Sequence, residues 1–545
     1  MLVDRAGALK HITHPGADAV REDEGREMDG IPSSPSSFAW PALLAALLTG
    51  SLYALVSDLD LDLRDEGFLW YGVRQTAAGQ VPGADFQAYD PGRYYWGAAW
   101  SMLFGTGIMG VRLSTAIFQG LGLFLGLLVM RRTVSRAWQL VPVGLVLIVW
   151  MFPRHKLFEP SLAMAAVYFA VRLLESPTLR RHFLSGLFVG IAAVFGRNHG
   201  VYTACAFIAL IAFDHWKRSD GALVRKLGAW AGGVVLGFSP VLLMLVLVPG
   251  FTDQLIDSLL VMSERGTNLP RPVPWPWTVD YASQPAARYV PEFVLSAGYL
   301  AFACVYPLGL VWAAMTRRES LIQRRVFIVC VLVGIPYVHH ALIRASASHL
   351  AQSIHPLLLA VFALPWAVAA GRRLPATILT WGPIVIGTAV IGWGVHPQLA
   401  IFGRRATEEL KEVSVDGDSL RLPSGQARGI SNIEAVFADR VPAEDRVFIA
   451  PYRAAYYPML GKVSPVWDIY MLWKATPEYQ QGMIDTLEEE GVDWALLVQE
   501  SMNSAPATTF AETHRKVIRY LAETFEPIQD PRIPQGHFLL HRRSR

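Results

Sequence analysis

Five carboxylates fall between residues 58 and 66, in the run Asp-Leu-Asp-Leu-Asp-Leu-Arg-Asp-Glu that follows the first long apolar segment. They are Asp58, Asp60, Asp62, Asp65 and Glu66. Carboxylates are costly beside lipid and rarely stand at a membrane edge without a task. One such task is to take a proton from an attacking hydroxyl. The matching need is cationic groups that hold a departing anion. Candidates recur near the ends of later apolar segments: Arg93, Arg112, Arg154 and Lys156, Arg197 and His199, Arg344 and His349. Arginine suits phosphate because its planar fork donates in pairs.

Each group also has a plainer reading. Asp65 stands just before Gly67, where a surface helix is expected to open, and Asp is a favoured N-cap. Asp58, Asp60 and Asp62 alternate with Leu and share one face of an extended chain. That face suits a divalent cation held through oxygen, or simply a solvated edge. Arg344 and His349 flank the turn Ala-Ser-Ala-Ser and could snorkel to headgroups. Arg154, His155, Lys156 and Glu159 could pair among themselves at a helix start.

The elements that must hold these groups are mostly membrane helices. The chain has 545 residues, 52% hydrophobic and 17% charged, with mean hydropathy +0.32. Soluble domains carry about 25% charged residues. Apolar runs recur near 39–56, 111–130, 137–152, 157–174, 183–196, 199–213, 227–248, 293–314, 326–343, 350–370 and 376–394. A crossing helix needs about 20 residues. Residues 1–38 are polar and mixed in charge, and are expected to form a disordered cytoplasmic tail rather than a cleaved signal peptide. Residues 39–394 are then a transmembrane domain, and 395–545 an α/β domain. In the latter, VFIAPY, ALLVQE and HFLLHRR read as buried strands, and TPEYQQGMIDTLEEEG reads as a helix closed by Gly491. FAETHRKVIRYLAETF reads as a second helix.

The positive-inside rule arbitrates the topology. Basic connections occur at Arg131-Arg132, Arg180-Arg181, Lys217-Arg218 with Arg225-Lys226, Arg317-Arg318 with Arg324-Arg325, and Arg372-Arg373. The stretch 94–110 is broken by Gly97, Gly105, Gly107 and Gly110. Laid on the outer surface as a second membrane-lying helix, it leaves about 11 crossings, with every basic connection inside and the C-terminal domain outside. The acids after the first crossing then face outward. So does the loop 249–291, whose stretch Leu-Pro-Arg-Pro-Val-Pro-Trp-Pro-Trp is stiff and interfacial.

Several classes are set aside. A net charge of +3 does not suggest a nucleic-acid partner. Cys205, Cys304 and Cys330 lie in apolar segments and offer no disulfide framework. The sequence has no P-loop, no dinucleotide fingerprint, no paired Cys-x-x-Cys and no His-Glu-x-x-His. Adjacent His339 and His340 point about 100° apart on a helix and suit a polar bundle interior better than a metal.

The outer face of a membrane has no supply of nucleotide-activated substrates. A donor carried in the lipid, such as a polyprenyl-phosphate sugar, fits an acid beside cations. The order of motifs then resembles the GT-C glycosyltransferases of the protein O-mannosyltransferase and lipid A aminoarabinose transferase kind. The residues that carry this are Asp65-Glu66, Trp70-Tyr71, Gly79-Gln80-Val81-Pro82, Asp90-Pro91-Gly92-Arg93-Tyr94-Tyr95-Trp96, Phe104-Gly105 and Arg112-Leu113. Where that family has Lys-Pro-Pro, this chain has Asp90-Pro91-Gly92, with Arg93 the nearest cation. The resemblance implies a GT-C fold: a polytopic α-helical membrane protein with two surface helices in the first outer loop and a soluble domain at the C-terminus. It implies inverting transfer of a sugar from a polyprenyl-phosphate donor to a lipid, glycan or protein acceptor at the outer face of the inner (plasma) membrane. It casts Asp65 as the base with Glu66 its neighbour; Asp58, closest to the first crossing, is the rival. No cofactor is implied with certainty, and a divalent cation stays open. Two other functions stay open, a transporter or flippase and a glycan ligase using a diphosphate donor.

Overall fold

The computed structural model describes residues 36–134, 136–218, 221–265, 270–368, 373–502 and 505–543. The tail expected over 1–38 lies, up to residue 35, outside the described residues. Among the described residues fifteen α-helices precede the C-terminal domain. They are α1 (Ser36–Val56), α2 (Asp65–Ala77), α3 (Pro91–Phe104), α4 (Ile108–Arg131), α5 (Leu140–Val149), α6 (Phe158–Glu175), α7 (Leu179–Phe195), α8 (Arg197–Arg218), α9 (Leu223–Leu247), α10 (Phe251–Arg265), α11 (Ala286–Met315), α12 (Leu321–Ile343), α13 (Ala347–Ser353), α14 (His355–Ala367) and α15 (Arg373–Gly394).

The chain is a multi-pass helical membrane protein. Among the described residues seven helices, α1, α4, α6, α9, α11, α12 and α15, are long and apolar enough to cross, and the pair α13–α14, bent by 56°, makes up to eight. The other three expected crossings are helices but fall outside that set. Helix α5 has only 10 residues and α7 has 17. Helix α8 spends its ends on polar groups, Arg197-Asn198-His199 at one and Asp214 through Arg218 at the other. Helix α3 has 14 residues, roughly 21 Å of rise against a hydrocarbon core of about 30 Å. It is too short to cross, as the glycine-broken stretch 94–110 suggested.

The basic connections meet at one end of the bundle. Glu175 takes Arg132 at 2.7 Å, Arg172 at 3.2 Å, Arg325 at 3.8 Å and Arg181 at 4.0 Å. Beside it, Asp214 takes Arg218 at 2.6 Å and Lys226 at 3.7 Å, and Arg218 also reaches the Leu174 carbonyl. Four of the expected basic connections are thereby brought together. The acids that follow α1 lie at the other end.

Helices α7 and α9 touch backbone to backbone. A Cβ on Gly186 or Gly190 would strike the Trp230 or Val234 carbonyl, and one on Gly233 or Gly237 would strike the Phe183 or Leu187 carbonyl. Small residues allow this close approach in lipid, where packing rather than the hydrophobic effect holds helices together. Replacing Gly190 by Leu is therefore expected to collapse the monodisperse peak in detergent gel filtration. Gly232→Leu, which meets nothing within 4 Å, is expected to leave it intact. Equal tolerance of both would contradict this packing.

The C-terminal domain holds β1 (Leu410–Val415) and β2 (Asp418–Pro423) as an antiparallel hairpin, then α16 (Ser424–Arg440). A mixed sheet follows, built from β3 (Val447–Ala450), β4 (Trp494–Val498), β5 (Phe525–Pro527) and β6 (His537–Arg542) in the order β3-β4-β6-β5. β3 and β4 run parallel, and the other pairs are antiparallel. Helices α17 (Pro477–Glu489) and α18 (Arg515–Thr524) complete it, and Gly491 at φ 61° closes α17 in the left-handed conformation. The expected strands are present, and so is the helix closed by Gly491; the helix expected over residues 510–525 is broken at His514 into a short turn, Phe510–Thr513, and α18, and the hairpin and α16 are additions to that reading.

This domain shares its core with the segment between α1 and α4. Phe68, Leu69, Trp70 and Val73 of α2 are buried with Ile430, Ile433 and Val436 of α16 and with Ile449, Leu496 and Leu539 of the sheet. Backbone bonds stitch the two: Ala455 N–H to the Leu63 carbonyl (3.1 Å), Gln87 N–H to the Trp467 carbonyl (2.9 Å) and Arg421 N–H to the Asp58 carbonyl (2.8 Å). Helix α3 packs in turn on α7, where a Cβ at Gly92 would lie 2.8 Å from the Val194 carbonyl oxygen. The segment between α1 and α4 is thus clamped between the bundle and the C-terminal domain.

Candidate functional site

That clamp encloses a cavity of about 1610 Å³. Its walls come from the loop 60–66, the segment 87–93, the ends of α6, α8 and α12 far from Glu175, part of α10, and the C-terminal domain. Most of the residues singled out from the sequence border it. Asp58 and Arg112 do not.

Asp65 opens α2 but does not cap it. The N-cap position is Arg64, and no side chain there accepts a capping bond. The Asp65 carboxylate instead accepts a hydrogen bond from the Tyr470 hydroxyl (2.9 Å) and stands 3.9 Å from His155 Nε2, with 38% of its side chain exposed to the cavity. Burial acts against its charge, but His155, Lys156, the Tyr470 hydroxyl and Arg64 outweigh it and hold the carboxyl below its ordinary value. Asp62 goes the other way, raised by burial and by the Asp65 charge. Two neighbouring carboxyls whose titrations are pushed apart take different protonation states. Asp65 is the one kept ionised. Burial and the Asp65 charge push the Tyr470 phenol well above its usual range, so it remains a donor.

Glu66 is the structural acid. Arg112 grips it with Nε to Oε1 at 2.8 Å and an Nη2 bond to Oε2 at 2.9 Å, and Arg154 approaches at 3.3 Å. Burial would raise its pKa, but the two arginines bring it down to about 2. Arg112 also donates to the Ser57 and Asp60 carbonyls at 2.6 and 2.7 Å. It holds the loop rather than facing the cavity. Arg154 borders the cavity and also donates to the Val56 and Asp60 carbonyls.

The alternating acids do not share a face. Asp60 adopts φ 61° and turns the chain. Asp58 then points to Arg421, with bonds of 2.5 and 2.8 Å that hold its pKa down. Asp60 bonds the Leu61 N–H, and Asp62 accepts from the Arg64 N–H. Among the described residues no three acids, histidines or cysteines converge as metal ligands. Asp58, expected as a rival base, thus serves as a link to the soluble domain.

The cations divide by what they touch. Arg93 is buried and committed, at 2.7 Å to Glu159 and 2.7 Å to the Phe195 carbonyl. Arg197 pairs with Asp90 at 2.9 Å and bonds Ser258. Lys156 differs: its ammonium rests on an aromatic face, 3.7 Å from the centre of the Tyr89 ring, at the cavity wall. His199 meets the Tyr337 hydroxyl at 3.2 Å and His349 meets Ser346 at 3.0 Å, the cap of α13. Arg344, in the turn between α12 and α13, and His349, in the first turn of α13, border the cavity. An ionised carboxylate and a cation on an aromatic face thus border one enclosed space. That arrangement can deprotonate a hydroxyl and receive an anion.

Residues from the far end of the chain complete the site. Tyr470 holds Asp65 from 405 positions away. Arg453, Tyr456, Glu500 and His537 form a further part of the wall. Nothing in their local spacing marks them, because their neighbours arrive only through the fold.

No family model and no curated protein sequence matches the chain. Among solved structures, ArnT from Cupriavidus metallidurans in the apo state is similar at 13% identity over 93% of this chain and 98% of that one, with a TM-score of 0.49. The same protein bound to undecaprenyl phosphate is similar at 14% identity over 91% and 97%, again with a TM-score of 0.49. The oligosaccharyltransferase of Archaeoglobus fulgidus in complex with Zn and sulfate is similar at 10% identity over 93% and 73%, with a TM-score of 0.42.

Proposed function

We propose that the protein is a glycosyltransferase that moves one sugar from a polyprenyl-phosphate donor to an acceptor hydroxyl, on a lipid, glycan or protein, at the outer face of the inner (plasma) membrane. The observation that carries this reading is the enclosure of ionised Asp65 and aromatic-seated Lys156 in one cavity at the end of the bundle away from the basic cluster. In this reading the acceptor oxygen attacks the anomeric carbon as its proton passes to Asp65. The bond from that carbon to the phosphate oxygen breaks with inversion, and the phosphate leaves onto Lys156, with Arg154, Arg344 and His349 near it. Charge around Glu175 and Asp214 faces the cytoplasm, as the positive-inside rule requires, and the C-terminal domain is extracytoplasmic.

The test is transfer by the purified protein in nanodiscs supplied with polyprenyl-phosphate sugars, following free polyprenyl phosphate and glycosylated acceptor together. A flippase would move the lipid without cleaving it, and a diphosphate-donor ligase would release a polyprenyl diphosphate. Lys156→Ala is expected to raise the donor KM by about 10- to 100-fold, the value of a lost hydrogen bond to a charged group. An unchanged KM would remove Lys156 from donor binding.

The pH profile follows from Asp65. A base works only when ionised, and its pKa lies below the ordinary value. Thus kcat/KM is expected to stay level until pH falls below the ordinary carboxylate range, and only then to decline. Tyr470→Phe removes a hydrogen bond that favours the charged form, so the acid limb should move to higher pH. An acid limb that stays in place in Tyr470→Phe would separate Tyr470 from the base.

A further inference from the structure

The mixed sheet turns the carboxyl ends of its parallel strands toward the cavity. Arg453 follows the end of β3, Glu500 follows the end of β4, and His537, at the start of β6, pairs with Val498 at the end of β4. All three border the cavity. In open α/β sheets this edge is where ligands bind.

The groups there form one network. Arg453 Nε and Nη2 donate to the two oxygens of Glu500, each at 3.2 Å. Its Nη1 reaches the Tyr456 hydroxyl and His537 Nε2, each at 3.4 Å, and those two lie 2.9 Å apart. The four bonds leave at least one of the five guanidinium N–H groups unused, and each Glu500 oxygen keeps a lone pair. Burial and Arg453 bring the His537 pKa down to about 4, against backbone bonds to Gln535 and Pro534 that raise it. At neutral pH the imidazole is uncharged and the Arg453–Glu500 pair cancels, so the cluster offers no net charge to an anion. It offers donors and acceptors side by side, and Trp473 and Tyr479 also line the cavity. Adjacent donors and acceptors match vicinal hydroxyls, which can give and accept at once. Aromatic rings supply flat apolar surface with little entropy to lose.

We infer that the wall formed by Arg453, Glu500, Tyr456 and His537, with Trp473 and Tyr479, is a subsite for a neutral sugar of the acceptor, so that the acceptor is a glycan or carries one. This rests on the transferase reading above and narrows its acceptor to a carbohydrate-bearing molecule.

The experiment is binding of the full-length protein in nanodiscs to a broad glycan array, with wild type, Glu500→Gln, Arg453→Ala and Asp65→Asn in parallel. The expected result is capture by at least one neutral glycan, reduced tenfold or more in Glu500→Gln and Arg453→Ala and retained in Asp65→Asn. Gel filtration and thermal midpoints identify variants that fail to fold; Glu500→Gln keeps the shape of the side chain for that reason. No capture, capture by anionic glycans only, or capture equal in folded Glu500→Gln and Arg453→Ala would overturn the subsite. Failure of the transferase reading appears elsewhere, as full transfer by Asp65→Asn.

Discussion

Asp65→Asn is expected to lower transfer by about 10²- to 10⁴-fold, the usual contribution of a positioned general base, while donor binding and the thermal midpoint stay at wild-type values. The substitution keeps the size of the side chain and an oxygen for the Tyr470 hydroxyl. It removes the proton acceptor. The fold should tolerate it because Asp65 caps nothing and much of its side chain faces the cavity. Transfer at the wild-type rate by folded Asp65→Asn would end the proposed mechanism.

Glu66→Gln is expected to do the opposite, costing the fold before the chemistry. Glu66 is buried, and its charge is balanced by Arg112 and Arg154. Neutralising it leaves two guanidinium groups without their anion, and breaking a buried pair of this kind costs about 3 to 5 kcal/mol. The predicted reading is a large drop in thermal midpoint at neutral pH. The pH dependence has a definite sign. Its folded pKa of about 2 lies below the ordinary value of 4.5. The stability it supplies is therefore present above 4.5 and is lost as pH falls toward 2. The gap between wild type and Glu66→Gln should narrow over that range. A constant gap would show that the charge is not what Glu66 contributes.

The adjacent pair Asp65-Glu66 shows how far the sequence could be read. Its place after the first apolar run marked both acids as unusual, because charge at a membrane edge is costly. Their roles separate only through partners brought by the fold, Arg112 from 46 residues away and Tyr470 from 405. The apolar segments were legible because a run of that length forms a helix almost regardless of context, and all of them are helices. Whether each crosses was less legible: α8 has the length but spends its ends on charge. The alternation of Asp58, Asp60 and Asp62 suggested a shared face, and a single positive φ at Asp60 undoes it. Leu-rich alternation says nothing about a left-handed turn. The hairpin β1–β2 was missed because its strands alternate exposed and buried residues and lack the continuous apolar runs of β3 and β4; the apolar stripe of α16, Ile430, Ile433, Val436 and Phe437, stands at helical spacing. Lys156 looked like one member of a local charge cluster; the aromatic face of Tyr89 distinguishes it, and that contact spans 67 positions.

The central claim is that this cavity receives the phosphate of a polyprenyl donor beside Asp65. The most direct test is a cryo-electron microscopy structure of Asp65→Asn in nanodiscs with a polyprenyl phosphate. The account predicts phosphate density in the cavity, with an oxygen about 3 Å from Lys156 Nζ and the lipid tail running along the bundle. Phosphate density elsewhere, above all at the Glu175 end, with the cavity unoccupied, would contradict it.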